Sequence, residues 1–160
     1  MADVSTVLVR EMRGEDIEPL AEALDWPWHR IDNRWRELVA GWREVFVAEV
    51  DGRPVGTVSI NEREERPGLQ HLFALDVAPA MRNRGIGTRL IDSVELEAKR
   101  RGLGGVYLEV AVENTDARRL YERLGYEQDG VPFEASWQRH GAEGVVEEVV
   151  EMQRRMVKRF

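Results

Sequence analysis

The sequence has no cysteine and only three histidines among its 160 residues. The missing cysteine excludes disulfides, thiolate metal centres and a cysteine nucleophile, and three histidines leave little for a histidine-rich metal site. No stretch reaches the ~18 consecutive apolar residues of a membrane span. The first residues, Met1 to Ser5, contain no basic segment followed by an apolar core. We therefore expect a cytoplasmic protein that needs no metal and has no membrane partner.

Positive charge is in the minority. There are 30 Asp and Glu residues against 23 Lys and Arg, which gives a net charge of −7. This balance disfavours a nucleic-acid partner held by general charge attraction. With 42% hydrophobic and 33% charged residues, the chain is typical of a compact globular protein, and residues 1–160 are expected to form a single domain.

Hydrophobic periodicity predicts the order of the elements. Strands are predicted over residues 5–11, 45–50, 54–60, 69–77, 106–112 and 145–157. Helices are predicted over residues 14–24, 31–42, 86–98 and 117–124, and residues 132–144 are predicted to form the loop before the last strand. Because strands and helices do not alternate strictly, this order predicts an α/β (α+β) fold, a mixed sheet with helices on both faces.

The positive charge gathers in one segment. Residues 78–91 hold Arg82, Arg84 and Arg89 but no acid, and Gly85 and Gly87 lie between a predicted strand and a predicted helix. Glycines allow close backbone approach, and a helix N-terminus presents free N–H groups and a partial positive charge. The segment therefore predicts a phosphate or pyrophosphate site.

Two common phosphate motifs fit this segment poorly. A P-loop ends in Gly-Lys-Ser/Thr, whereas Gly87 is followed by Thr88 and an arginine. A dinucleotide fingerprint needs a third glycine where Leu90 stands, although Glu109 occupies a plausible ribose-binding position. A dinucleotide site stays open as an alternative.

A third pattern matches better. The run Arg82-x-x-Gly85-x-Gly87 resembles the acyl-CoA pyrophosphate loop of the GNAT N-acetyltransferase superfamily, and residues 75–79 precede it as that family's central strand does. Residues 108–126 resemble the family's second conserved stretch, and the likeness covers residues 69–127. The resemblance implies a mixed, mostly antiparallel sheet with a splayed central strand pair. It also implies acetyl transfer from acetyl-CoA to a primary amine, and a homodimer.

The resemblance assigns roles to individual residues. The residues that would contact CoA are Leu75, Asp76, Val77, Arg82, Asn83, Arg84, Gly85, Ile86, Gly87, Thr88, Asn114 and Tyr121. The Asn114 side chain would touch the pantetheine, although an asparagine there is equally typical of a helix N-cap. The Tyr121 hydroxyl would face the sulfur, although its position also fits the apolar stripe of a helix.

Tyr121 is the expected general acid. Its ordinary pKa near ~10 lies only about 1.5 above that of a thiol near ~8.5, so proton donation to a leaving thiolate is feasible. The backbone N–H of Val77 would stabilise the developing oxyanion. Because no cysteine can carry the acyl group, transfer would be direct, through a ternary complex.

Two residues are alternatives for the base. Glu109 matches the base position of the ribosomal-protein N-terminal acetyltransferases of this superfamily, and His71 matches that of its histone-type members. Strand parity predicts that His71 shares a face with Phe73, Leu75 and Val77. A buried, hydrogen-bonded histidine and an arginine-paired glutamate are the structural alternatives.

The acceptor amine would bind near the first two helices. The residues expected to contact it are Trp26, Trp28, His29 and Glu134, whereas helical spacing places Trp35 and Trp42 in the core. The acids Asp25 and Glu134 would suit a cationic acceptor. A non-catalytic acyl-CoA-binding or sensing module on the same fold is the alternative function.

Overall fold

The computed structural model describes residues 6–139, the backbone of His140, and residues 145–160. The strands are β1 (Leu8–Glu11), β2 (Glu44–Val50), β3 (Arg53–Asn61), β4 (Gln70–Val77), β5 (Gly105–Ala111), β6 (Glu127–Gln128), β7 (Phe133–His140) and β8 (Val146–Arg159). The helices are α1 (Ile17–Leu24), α2 (Trp28–Val39), α3 (Ile86–Arg100) and α4 (Thr115–Arg123), with short 3₁₀ helices at Gly14–Asp16 and Pro79–Met81.

All eight strands belong to one sheet. The order is β1-β2-β3-β4-β5-β8-β6, and β7 pairs with β8. Every pairing is antiparallel except that of β4 with β5, which is parallel. The predicted mixed, mostly antiparallel sheet is confirmed.

Two apolar clusters fix the helices on opposite faces. Leu20 and Ile31 of α1 and α2 pack with Val45 and Val47 of β2. The other cluster joins α3 and α4 to the sheet, and its fully buried members include Leu90, Ile91, Val94 and Leu108. Each such side chain contributes about 1.5–3 kcal/mol by leaving water. No helix among the described residues combines the length and the apolarity that crossing a membrane requires.

A bulge interrupts β4. Thr57 of β3 pairs with Asp76 and Ser59 pairs with Phe73, so two residues of β4 oppose one residue of β3. Ala74 in the bulge has a φ of +52°, which is uncommon for a residue with a side chain. Such an insertion reverses the direction of every side chain that follows it.

The bulge overturns the predicted strand parity. Leu75 and Val77 pack against the α3 cluster, whereas Asp76 turns toward α2 and accepts a hydrogen bond from Arg34. His71 therefore does not share a face with Leu75 and Val77. Simple alternation fails here because one extra residue shifts the two-residue period.

The two central strands separate. The ladder between β4 and β5 consists of only Gln70↔Val106 and His71↔Tyr107. Beyond His71, the edge of β4 that faces β5 has no strand beside it among the described residues. The splayed strand pair that the resemblance implied is confirmed.

The C-terminal region differs from the prediction. A loop was expected over residues 132–144, but Phe133–His140 forms β7, which pairs with β8 along its whole length. The loop prediction is wrong for these residues, because hydrogen bonds to β8 stabilise an extended segment with little apolar alternation of its own. Residues 141–144 lie outside the described residues.

The two tryptophans that were predicted to lie in the core differ in burial. Trp35 packs against the α1–α2 cluster as predicted. Trp42 is 73% exposed, so its predicted core position is wrong. The helix ends at Val39, so the helical spacing that grouped Trp42 with Trp35 no longer applies.

A buried ion pair joins α1 to the sheet. The Arg10 guanidinium donates two hydrogen bonds of 2.8 Å to the Asp16 carboxylate and one of 2.9 Å to Glu49. The backbone N–H of Arg13 also donates to Asp16, at 2.7 Å. Asp16 therefore ties the turn before α1 to strands β1 and β2.

Candidate active site

The separation of β4 and β5 opens a cleft of about 830 Å³. Residues of α2, β4, β5, α4 and β7 line it. Among the predicted site residues, the cleft brings together His71, Leu75, Asp76, Glu109, Asn114 and Tyr121. The β7–β8 hairpin forms the wall opposite α2, with Trp137 in it.

The loop before α3 presents unpaired backbone donors. The N–H groups from Asn83 to Thr88 have no acceptor among the described residues. Asn83 and Gly85 both have left-handed φ values, +61° and +80°, and this turn directs successive N–H groups outward. A row of free N–H groups at a helix N-terminus fits the pyrophosphate of CoA.

The arginines of this loop have no acidic partners among the described residues. Arg82 donates to the carbonyl of Val77 at 3.3 Å, and Arg89 donates to the carbonyl of Val7 at 3.1 Å. Arg84 makes no hydrogen bond or ion pair with any described residue. Their charge is therefore not neutralised within this part of the protein, which again suits an anionic group.

Asn114 caps the helix that follows it. Its Oδ1 accepts a hydrogen bond of 3.1 Å from the backbone N–H of Ala117, so the structural alternative is confirmed. The side chain also lines the cleft, and its Nδ2 has no partner among the described residues. The cap therefore leaves an amide donor for a ligand.

His71 is buried between two aromatic rings. Its ring stacks on Phe73 and Tyr107 with centroids 4.9 and 4.8 Å away. Nδ1 lies 2.9 Å from Oδ1 of Asn61, and in this arrangement Nδ1 carries the proton. Burial, together with the charges of Arg63 and Arg155, lowers the pKa of His71 to about 3. The imidazole is therefore neutral at physiological pH.

Glu109 lies beside this imidazole. Its Oε1 is 3.7 Å from Nε2 of His71, and Arg63 and Arg155 approach its carboxylate at 3.9 and 3.7 Å. These distances are too long for direct hydrogen bonds. Since Nε2 and the carboxylate are both acceptors, the gap between them suits a donor such as an ammonium group or a water.

Tyr121 faces the cleft from α4. Its hydroxyl makes no hydrogen bond with the described residues. Burial, and next the negative charge of Asp76, raise the pKa of Tyr121 to about 12. The phenol therefore keeps its proton at neutral pH and is available as a donor.

Arginines that sequence analysis did not single out also line the cleft. They are Arg30, Arg34, Arg43, Arg63 and Arg139. Arg30 and Arg34 belong to α2 and Arg139 belongs to β7. Arg43 immediately precedes β2, and Arg63 follows the end of β3. The spacing of Arg30 and Arg34 on one helix face was the only signal for any of them in the sequence.

The residues predicted to contact the acceptor are not among those that line the cleft. Trp26 packs under the α2 arginines, and Trp28 is half exposed in a separate shallow pocket with Ile17 and Asp32. The His29 ring contacts that of Trp28 at a tilt of 45°, and Glu134 pairs with Met152 of β8. The orientation of α2 places Arg30 and Arg34, rather than these residues, along the cleft between the splayed strands.

Residues 8–126 match the acetyltransferase (GNAT) family. The chain belongs to this family. The match includes the splayed strands, the α3 loop and α4, and the family is the one that the motifs resemble, not a dinucleotide-binding one. The chain is thus related to enzymes that transfer acetyl groups.

Two curated relatives are named as N-acetyltransferases. An uncharacterized N-acetyltransferase of Methanocaldococcus jannaschii is 32% identical over 147 residues, which covers 80% of this GNAT chain and 64% of the relative. A probable N-acetyltransferase, camello, of Xenopus tropicalis is 37% identical over 86 residues, 54% of this chain and 39% of the relative. This chain therefore spans less than two thirds of either relative.

Solved structures share the fold along nearly the whole chain. A ribosomal-protein-alanine N-acetyltransferase from Brucella melitensis superimposes with a TM-score of 0.70 at 22% identity. The alignment covers 96% of this chain and 99% of that structure. At this identity the likeness shows the fold.

Proposed function

We propose that this GNAT protein transfers an acetyl group from acetyl-CoA directly to a primary amine of a small molecule or a peptide N-terminus. The observation that carries the proposal is the open edge of β4 beside β5. The loop before α3, with its free N–H groups, contacts this edge at Val77, and the Tyr121 side chain lines the cleft beside Leu75 and Asp76. A non-catalytic module would need the pyrophosphate loop but not a protonated phenol at the strand opening.

The chain's own groups suit CoA at three places. The N–H groups of residues 83–88 would hold the pyrophosphate, and Arg84 would add a charged contact. The open edge of β4 at Leu75 and Val77 would hydrogen-bond the pantetheine arm, and Nδ2 of Asn114 would donate to it. Acetyl-CoA, when bound, supplies an activated thioester for attack by the amine.

The side chains that would accept or donate protons lie at two positions of the cleft, Glu109 with His71 at one and Tyr121 at the other. Glu109 accepts the proton that the attacking ammonium loses, because its Oε1 lies 3.7 Å from Nε2 of His71 and borders the gap that the nitrogen would occupy. Nε2 of His71 accepts a hydrogen bond from the same nitrogen and orients it. His71 is a poor base itself, since holding a proton at pH 7 against a pKa of about 3 costs about 5 kcal/mol. Tyr121 donates a hydrogen bond toward the sulfur.

Thiol release tests this function. We expect purified protein to release CoA thiol from acetyl-CoA in the presence of a primary amine, and mass spectrometry to show the amine heavier by one acetyl group. CoA should raise the melting temperature, whereas NADH should not. Binding of CoA without thiol release across a broad amine panel would instead favour the sensing module.

Arg84→Ala is expected to weaken CoA binding about tenfold at low salt, because a charge-assisted bond to a phosphate is lost. The loss should shrink as salt rises, since Arg84 is only partly buried and its charge is screened. Calorimetric titration with CoA measures both. Arg53→Ala, an exposed arginine in the β2–β3 hairpin, is the matched control, and an equal loss in both variants would contradict the assignment.

A further inference from the structure

Two arginines of α2 face the acceptor side of the cleft. Arg30 and Arg34 are one helical turn apart and both line the cleft. The Arg30 guanidinium lies 3.6 Å above the centroid of the Trp26 ring, which fixes its position. Arg30 has no ion pair or side-chain hydrogen bond with the described residues. Its positive charge thus lacks a counterion in this part of the protein.

Only one of the two terminal nitrogens of Arg34 has a hydrogen-bond partner. Its Nη2 donates to Oδ2 of Asp76 at 2.8 Å, while its Nη1 is buried without a partner. The side chain is only 11% exposed. Because an unpaired buried donor is costly, this free nitrogen favours a ligand atom that could accept its hydrogen bond.

The acids of the cleft do not supply that partner. Glu37 pairs with Arg43, and Asp76 is already occupied by Arg34. Glu109 lies between Arg63 and Arg155, and Glu151, the remaining acid that lines the cleft, accepts a hydrogen bond from Gln153. The acids that the sequence offered for a cationic acceptor, Asp25 and Glu134, do not line the cleft.

A third arginine strengthens the positive potential. Arg139, on the opposite wall, lines the same cleft, and its own partner is Glu147. Burial, followed by the charges of Arg139 and Arg34, lowers the pKa of Arg30, and the opposing charges of Asp76 and Glu147 offset this only in part. This part of the cleft is therefore partly dry and positively charged, and an anion would relieve the repulsion.

We propose, on the basis of the proposed function, that the acceptor amine carries a carboxylate that binds to Arg30 and to the free Nη1 of Arg34. Two guanidinium groups on one helix face can hold both oxygens of a carboxylate. This assigns the acceptor to amines that bear a carboxylate a few bonds from the nitrogen.

The short span follows from Asp76. Arg34 contacts Asp76, which lies between Leu75 and Val77 on the open edge of β4 and lines the same cleft as Tyr121. The anion site is thus separated from the reaction position by one side chain. An amino acid provides this spacing through its α-carboxylate, and a peptide provides it through an acidic first residue.

Matched acceptor pairs distinguish these two sources. Thiol release is measured with L-amino acids against their α-amides, and with peptide amides that begin with Asp against the same peptides beginning with Asn. We expect the carboxylate member of at least one pair to have a kcat/KM at least about tenfold higher. If the amino acid is preferred over its amide, the α-carboxylate is the group that binds. If the Asp peptide is preferred over the Asn peptide, the side-chain carboxylate is the group that binds.

Arginine variants then locate the contact. Arg30→Gln should reduce the preference to about twofold or less, with little change for the neutral member of the pair. Arg34→Lys keeps a cation for Asp76 but removes the second nitrogen, and should also reduce the preference. Arg36→Gln is the control, because Arg36 is exposed on the same helix, pairs with Asp32 and does not line the cleft.

The outcomes separate the inference from the proposed function. Thiol release without preference for either carboxylate member overturns the inference alone, as does a preference that survives in both Arg30→Gln and Arg34→Lys. Absence of thiol release with every amine contradicts the proposed function instead. In that case calorimetry with the same pairs tests the inference. Equal binding of the acid and the amide overturns it. Tighter binding of the acid supports it, provided that Arg30→Gln abolishes the difference.

Discussion

Replacement of Tyr121 by phenylalanine is expected to lower kcat about 100-fold, while the Kd for CoA changes less than about twofold. The hydroxyl is the only part of the side chain that is lost, and the ring remains to pack against Tyr126. A donor aimed at charge that develops during reaction contributes on the order of 100-fold or more to the rate. Pre-steady-state thiol release and CoA titration measure the two quantities separately.

Burial changes how Tyr121 acts. With a pKa of about 12, it lies about 3.5 units above a free thiol, so complete proton transfer to the thiolate would be uphill by roughly 5 kcal/mol. The sequence suggested a gap of only about 1.5 units, because the ordinary pKa was the available reference. Tyr121 is therefore better described as a hydrogen-bond donor to the developing thiolate than as a group that fully loses its proton.

Tyr126→Phe provides the control for this variant. The Tyr126 hydroxyl is also buried, but it donates to Glu95 at 3.2 Å and does not line the cleft. We expect its loss to affect stability and to leave turnover largely unchanged. Equal turnover in Tyr121→Phe and the wild type would contradict a role of the Tyr121 hydroxyl in the reaction.

Replacement of Asp16 by alanine is expected to lower the free energy of unfolding by about 3 kcal/mol. The carboxylate side chain is only 3% exposed and accepts from Arg10 and from the backbone of Arg13. Removing one partner of a buried pair leaves the other charge uncompensated, which typically costs about 3–5 kcal/mol. Because Glu49 still pairs with Arg10, the lower end of that range applies. Urea denaturation measures the difference.

The Asp16 contribution should also depend on pH. Burial alone would raise the pKa of Asp16, but the hydrogen bonds from Arg10 and Arg13 outweigh it, and the net pKa is lowered. A carboxylate with a lowered folded pKa stabilises the protein above its unfolded pKa of about 3.9. The difference between wild type and Asp16→Ala should thus be constant above about pH 5 and shrink as the pH falls below 4.

An exposed pair provides the comparison. Glu122 pairs with Arg118 on α4, and their side chains are 48% and 41% exposed. Glu122→Ala should therefore cost less than about 1 kcal/mol. A similar loss in the two variants would show that the Arg10–Asp16 pair is not stabilising through its burial.

Local patterns predicted the parts of the site that lie close together in the sequence. The loop at residues 82–88 was recognisable because glycines and arginines there follow a strand and begin a helix. Asn114 and Tyr121 followed from the second motif. Their roles toward CoA, the single domain over residues 1–160 and the homodimer stay predictions.

Non-local contacts decided the features that the sequence did not predict. The bulge at Ala74 depends on how β4 pairs with β3. Strand β7 depends on β8, and the exposure of Trp42 depends on where α2 ends. In each case a strand partner outside a short sequence window, or the end of an element, overrides the periodicity within that window.

The sequence by itself determined that acyl transfer here cannot pass through a cysteine, and that a cluster of positive charge lies at residues 82–89 of an acidic chain. Only the tertiary structure revealed a second positive site, because Arg30 and Arg34 of α2 meet Arg139 of the β7–β8 hairpin across the cleft. Arg139 lies more than 100 positions beyond both α2 arginines in the chain. Charge that is dispersed along a sequence becomes a binding site only when folding brings it to one surface and removes it from water.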